Sequence, residues 1–379
     1  MANPFYLQVI PDDRPLCDRS IEIRELTSFA ESGANVVLYS PRRYGKTSLV
    51  RRIQRDLAAR GAVTVFVDFF GVSSVDEVAA RLANGVFAFT HGREPLWKKA
   101  LTTIRSFRPV LKPDPESGFS LSVETAAAER RGIRLLEETL ESFGRFIEQI
   151  ESPVHVALDE FQEIVSLDQA LQIEAAFRTR IQNHRASYFF IGSRRRILLG
   201  MFNDRQRPFF QSAIAYPLPR LPEDELAAFV RTQFTDAGRE CSLDAAIELV
   251  AAGASHPYYT EKLAFLAYEL AEKIDTETIA AAYDRLLGTE RPVFEATVLG
   301  LPPGQRRLLQ ALAREPTEHL LASSYVAAHN LGSIGGVQHA SRRLEELDLI
   351  ERADPDGAWS VVDPLFAAWL NRQRERRVE

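Results

Sequence analysis

The chain alternates between short, continuously apolar runs and longer stretches whose apolar residues recur at helical spacing. Val36–Tyr39 (V-V-L-Y) is the kind of run a buried strand gives, and a helical pattern opens after it at Thr47–Ile53. Upstream, Ser20–Ser32 has helical spacing through Ile21, Ile23, Leu26 and Phe29, whereas Asn3–Tyr6 and Pro11–Arg19 read as irregular. The Ser48–Arg60 helix is closed by Gly61. Ala62–Phe70 is β-branched and aromatic enough for a second strand, and Ser74–Phe89 puts Val78, Leu82, Val86 and Phe89 on one helical face. Strand and helix in alternation predict a parallel sheet with helices on both faces, an α/β class.

Residues 105–125 interrupt this rhythm. Pro109, Pro113, Pro115 and Gly118, followed by F-S-L-S-V, predict an inserted loop or hairpin. Ala126–Glu151 resumes as a helix with the stripe Ile133, Leu136, Leu140, Phe143 and Ile147. Val154–Leu158 predicts a strand, 168–183 a helix and Ala186–Ile191 another strand. From about Leu218 the character changes, with helices expected at 223–237, 243–252, 257–273 and 275–288, an all-helical region. Residues 300–370 then give helices at Gly304–Arg314 and Ser323–Asn330, a longer one ending at Leu347, and a hairpin turned by Asp354–Gly357. That order is a winged helix-turn-helix.

Composition adds bounds. The 379 residues, 45% hydrophobic and 26% charged, are enough for two or three folded domains with ordinary cores. A net charge of −6 gives no global attraction to nucleic acid or acidic membranes. Cys17 and Cys241 match no metal spacing and suit a reducing compartment without structural disulfides. No secretory leader and no apolar run of membrane-spanning length is read, so a cytoplasmic location without membrane association is expected.

Candidate chemistry sits at the strand ends. Between the first strand and its helix lies Ser40-Pro41-Arg42-Arg43-Tyr44-Gly45-Lys46-Thr47, followed by Ser48: the phosphate-binding loop G-x-x-x-x-G-K-[ST] with serine in place of its first glycine. Amides of such a loop and the positive end of the next helix cradle phosphates, Lys46 reaches the β- and γ-phosphates, and Thr47 holds Mg²⁺. If the backbone at Ser40 must take positive φ, serine costs on the order of 1 kcal/mol there. The strand Val154–Leu158 runs into Asp159-Glu160, where the aspartate would support Mg²⁺ and the glutamate polarise an attacking water. Ser193, at the tip of the Ala186–Ile191 strand, is a candidate γ-phosphate sensor. Arg194–Arg196 read either as charge for the phosphates or as a solvated run. Pro257, in G-A-S-H-P-Y-Y, reads as a helix-start proline. The expected organisation is a P-loop domain at 1–217 (with 105–125 inserted), a helical lid at 218–295, a winged helix at 300–371 and a basic tail at 372–379.

The stretches V-L-Y-S-P-R-R-Y-G-K-T-S-L, L-D-E-F-Q-E-I, F-I-G-S-R, A-S-H-P-Y-Y-T-E-K-L and V-V-D-P-L-F-A-A-W-L, in this order, resemble the archaeal-type ATPase family. That family belongs to the STAND group of signal-transduction ATPases, related to AAA+ proteins, and the resemblance spans nearly the whole chain. It implies an ASCE-type P-loop core, a helical lid, a C-terminal winged helix and ATP/ADP with Mg²⁺ as ligands. On matching positions it implies Lys46 and Thr47 at phosphate and Mg²⁺, Asp159 at Mg²⁺, Glu160 at the water, Ser193 as sensor and Pro257 facing adenine. Leu16–Arg19 departs from the family's aromatic-x-Gly-Arg, with only Arg19 matching. Association on ATP is implied too, and an arginine finger from this chain or a neighbour has Arg178, Arg180 and Arg194–Arg196 as candidates.

Three functional readings follow. The first is an ATP-hydrolysing switch of slow turnover in which the winged helix regulates nucleotide state. The second is a nucleotide-controlled DNA-binding protein using the winged helix and the Arg372–Arg377 tail. Against it, residues 301–379 hold ten Arg and eleven Asp plus Glu, not a basic footprint. The third is an ATPase-derived scaffold with negligible turnover.

Overall fold

The computed structural model describes residues 3–7, 17, 19–114, 118–126, 131–352 and 357–378. The chain forms two compact units, Val9–Pro219 and Arg220–Glu379, the latter taking in the N-terminal segment Met1–Gln8.

In the first unit, α1 (Ser20–Glu31) precedes β1 (Val36–Tyr39), α2 (Lys46–Ala59), β2 (Val63–Asp68), α3 (Val75–Thr90) and α4 (Leu96–Thr103). The hairpin β3 (Phe107–Asp114) and β4 (Gly118–Thr125) follows, then α5 (Ile133–Glu148), β5 (Val154–Asp159), a 3₁₀ turn at Phe161–Ser166, α6 (Ala170–Ile181), β6 (Ala186–Gly192), α7 (Arg195–Asn203) and β7 (Ile214–Pro217). Five strands pair in parallel in the order β2-β5-β6-β1-β7.

Both faces are covered, which is why the strands read as continuous apolar runs rather than alternating ones. Val37, Val65, Val67, Val156, Leu158, Tyr188 and Phe190 join a core with residues of α3, α5 and α6. Their neighbours Val36, Leu38, Ala157, Phe189 and Ile191 face the other way, against Leu26 of α1 and Leu49, Val50 and Ile53 of α2. Each fully buried side chain of this size contributes about 1.5–3 kcal/mol. Two large cores therefore hold the carboxyl ends of the strands in fixed register.

The second unit contains α8 (Glu223–Asp236), β8 (Glu240–Cys241), α9 (Leu243–Ala252), α10 (Pro257–Leu270), β9 (Lys273–Ile274), α11 (Thr276–Leu299), α12 (Pro303–Arg314), α13 (Ser323–Ala328), α14 (Ile334–Glu346), β10 (Ile350–Arg352), β11 (Trp359–Val361) and α15 (Pro364–Val378). Phe5 packs its ring 4.7 Å from that of Phe234, and the Tyr6 amide donates to Glu261. The winged helix is fastened to α11 through Phe294, whose ring lies 4.9 Å from Phe366 and 5.7 Å from Trp369.

Several expectations are corrected. The helical region after Leu218 is not all-helical, since β8 and β9 form a short parallel pair. The helix expected at 275–288 runs on to Leu299 through Pro292. α5 begins at Ile133 rather than Ala126, and residues 127–130 lie outside the described residues. α4, α7 and β7 had no counterpart in the sequence reading, and α15 continues through the basic end as far as Val378. The turn at Asp354–Asp356, and Leu16 and Asp18, also lie outside the described residues.

Candidate nucleotide site

Register decides which residues meet. Tyr39 of β1 pairs with Gly192 of β6, Leu158 of β5 with Phe190 of β6, and Asp68 of β2 with Asp159 of β5. The carboxyl ends of four adjacent strands thus present Ser40, Ser193, Asp159-Glu160 and Asp68 along one edge. Open α/β sheets place their ligand sites at this edge.

The loop from Ser40 to Thr47 turns the chain into α2. Gly45 takes the N-cap position at φ 82°, the left-handed region that favours glycine, and a Cβ there would meet open space. The glycine is thus required by the turn and not by crowding. Ser40 is absent from the positive-φ residues of the loop, and Arg43 (φ 64°) is among them, so the strain considered for Ser40 sits three residues later. Tyr44 is buried, leaving its backbone on the loop, whereas Arg42 and Arg43 are exposed. The Leu49 amide closes the first helical bond on Gly45, so the amides of Lys46, Thr47 and Ser48 belong to the open first turn of α2.

Lys46 is only 5% exposed, and its Nζ donates to the Ser40 and Pro41 carbonyls at 2.9 and 2.8 Å and to the Ser40 hydroxyl at 3.3 Å. The ammonium is therefore held inside the curve of the loop. Thr47 Oγ1 donates to Asp159 Oδ2 at 2.6 Å, while Asp159 Oδ1 accepts from the Glu160 amide at 3.0 Å. Burial pushes the Asp159 carboxyl above its usual range; the Thr47 and Glu160 hydrogen bonds oppose this, and the charges of Glu160 and Asp68 add to it. A divalent cation beside it would hold it ionised.

Glu160 follows in the left-handed region (φ 48°) and directs its carboxylate toward β6, where Ser193 donates to Oε2 at 3.2 Å. Gln162 donates to the same oxygen. Neither Gln162 nor Asp68 was singled out from the sequence. The signal for Asp68 was its place at the end of a strand beside the D-E strand, and Gln162 carried none beyond its proximity to Glu160.

Other expected residues lie further out. Arg19 is buried against Glu22 at 2.7 Å, at the start of α1. Arg178 donates to Gln182, and Arg180 pairs with Glu141 at 3.6 Å, so both are engaged on the α5–α6 side. Arg194 lies 4.0 Å from Glu163, and Arg195 lies over the Tyr39 ring at 5.5 Å. Pro257 occupies the first turn of α10, in the second unit.

The donor set fits a nucleoside triphosphate with Mg²⁺: a buried ammonium, an open helix turn for phosphate oxygens, and a hydroxyl beside a carboxylate for a hard cation. Among the described residues no group of three or more His, Cys, Asp or Glu is placed to hold a metal. A cation here would complete its shell with phosphate oxygens and water.

Sheet order, loop and site edge define a P-loop ATPase core, and this core is followed by a winged helix. Residues 292–372 match a family described as a probable winged helix domain. The Walker-type ATPase PABY2304 of Pyrococcus abyssi shares the fold at 16% identity and a TM-score of 0.68, over 96% of this chain and 99% of that one. The Aeropyrum pernix ORC1 protein in complex with DNA aligns at 15% identity and TM-score 0.52, over 99% and 96%. The ORC2 protein of the same organism, in ADPNP-ADP complexes, aligns at 13% and 0.56, over 98% of each chain. No curated protein matches the chain. Among the described residues no helix is long and apolar enough to cross a membrane.

Proposed function

We propose that the chain is an ATP-hydrolysing molecular switch of the STAND type. The observation that carries this is the 2.6 Å hydrogen bond from Thr47 to Asp159, beside the buried Lys46 ammonium, with Glu160 next in sequence. In this reading the loop amides and Lys46 bind the phosphates, and Thr47 and Asp159 hold Mg²⁺. Glu160 takes the proton from the water that attacks the γ-phosphorus as the bond to the ADP oxygen breaks, and Ser193 senses the γ-phosphate. Lid and winged helix share one packed interface through Phe294, Phe366 and the Tyr259–Asp363 hydrogen bond, which supports a winged helix that follows the lid as nucleotide state changes. Self-association on ATP, with an arginine supplied between copies, belongs to the same reading.

Denaturing extraction of purified protein tests nucleotide occupancy. Adenine nucleotide near one per chain, lost in Lys46→Ala, is the expected result. Absence of bound nucleotide together with no ATP binding in titration contradicts it.

A second reading, nucleotide-controlled DNA binding through α14, is favoured by the likeness in fold to an ORC1 protein solved with DNA. Against it, Arg343 on α14 is paired with Glu346. Salt-dependent DNA binding that disappears on deleting 300–379 supports this reading, and no binding at low salt removes it.

A further inference from the structure

Glu160 is not held by the strand that carries it. The chain leaves β5 at Asp159, passes Glu160 in a left-handed conformation and tightens into the 3₁₀ turn, so that Gln162 folds back beneath the side chain two residues before it. Gln162 is 1% exposed, and its Nε2 donates to Glu160 Oε2, the oxygen that Ser193 also reaches at 3.2 Å. Two donors on one oxygen fix the rotation of the carboxylate and aim the other oxygen, Oε1, away from both.

The neighbouring strand makes room for this amide. A Cβ on Gly192 would come within 1.9 Å of Gln162 Oε1 and 3.1 Å of Leu198 Cδ2, so no larger residue fits at the end of β6 while Gln162 keeps its place. Among the described residues Gln162 Oε1 has no hydrogen-bond partner although it is buried. A buried carbonyl without a partner destabilises a fold, and an apolar side chain of the same length would fill the space at lower cost. Stability alone therefore does not account for an amide here; the bond from its nitrogen to Glu160 does.

We infer that Gln162 is a positioning residue that sets the Glu160 carboxylate for proton abstraction from the attacking water. The inference rests on the ATPase reading of the site. Gln162 touches neither nucleotide nor water in this scheme and acts wholly through Glu160.

The experiment is a double-mutant cycle on ATP turnover with wild type, Gln162→Met, Glu160→Gln and the double variant, with thermal melting and nucleotide affinity measured on each. Gln162→Met is expected to lower kcat roughly tenfold with KM for ATP within about twofold, because the Glu160 carboxylate loses a hydrogen bond that orients it while no contact with the nucleotide is removed. In the Glu160→Gln background it is expected to change nothing further, the signature of two groups acting as one. Gln162→Asn, which keeps the amide but is one methylene too short to reach, is expected to behave like Gln162→Met and covers the case in which that variant does not fold. Wild-type kcat in both variants, or an equal loss in the two backgrounds, overturns the inference while leaving the ATPase reading intact. A wild type without turnover overturns both.

Discussion

The hydroxyl of Thr47 donates to Oδ2 of Asp159 across 2.6 Å, joining two residues separated by 112 positions in sequence. The bond ties the first turn of α2 to the end of β5 and sets a neutral oxygen beside a carboxylate. Thr47→Ala is expected to keep the fold and to abolish the gain in nucleotide affinity that Mg²⁺ confers. Titration with labelled ATP with and without Mg²⁺ checks this. The predicted loss in the presence of Mg²⁺ is on the order of tenfold, the equivalent of about 1.4 kcal/mol.

Tyr259 donates its hydroxyl to Asp363 Oδ2, while Asp363 Oδ1 accepts from the Leu365 and Phe366 amides at the start of α15. One carboxylate therefore caps α15 and fastens it to α10. Tyr259→Phe is expected to cost about 1.5–3 kcal/mol, as for a hydrogen bond to a charged group. Asp363→Ala removes the cap as well and is expected to cost more. Urea unfolding of both variants gives the comparison.

Gly85 lies within α3, where alanine ordinarily gains about 1 kcal/mol over glycine. A Cβ there would meet the Phe66 carbonyl oxygen at 2.8 Å and Val67 Cγ2 at 2.9 Å. Overpacking against a backbone atom costs about 1–3 kcal/mol, so packing outweighs propensity. Gly85→Ala is expected to lower Tm despite the better helix former; a rise in Tm would refute the close approach of α3 to β2.

Burial raises the Glu261 carboxyl to about 7, against the opposing hydrogen bond from the Tyr6 amide. Its unfolded-state value lies near 4.5. A folded carboxyl that keeps its proton longer than the unfolded one contributes stability that is complete below the unfolded value. That contribution is lost as pH rises toward the folded value. Stability is therefore expected to fall between about pH 4.5 and 7, by on the order of 3 kcal/mol from this group. Glu261→Gln should flatten that slope, and melting curves across the range measure it.

What the sequence conveyed depended on how local the physics was. V-V-L-Y-S-P-R-R-Y-G-K-T and V-H-V-A-L-D-E were legible because strand, turn and chemistry all fall within a dozen residues. The Ser193 position was legible because a strand end is a place. β7 was hidden because Ile214–Pro217 is a four-residue, largely exposed edge strand beside β1, too short for its apolar residues to set a period and closed by a proline. α7 was hidden by Arg194–Arg196, which read as charge before it read as a helix start. The helix expected at 275–288 ends where Gly288 stands, with Pro292 four residues on, yet α11 continues because Phe294 finds Phe366 and Trp369. Tertiary packing there overrides two local stop signals. Gln162 depended on Gly192, thirty residues away, and no periodicity conveys such a pairing.

The central claim is hydrolysis at Glu160, and single-turnover cleavage of bound ATP by wild type and Glu160→Gln tests it most directly. The account predicts slow release of one phosphate per bound ATP by wild type. For Glu160→Gln it predicts retained ATP binding with cleavage slowed by on the order of a hundredfold or more. Equal cleavage by both proteins, or none by either with ATP bound, would contradict it.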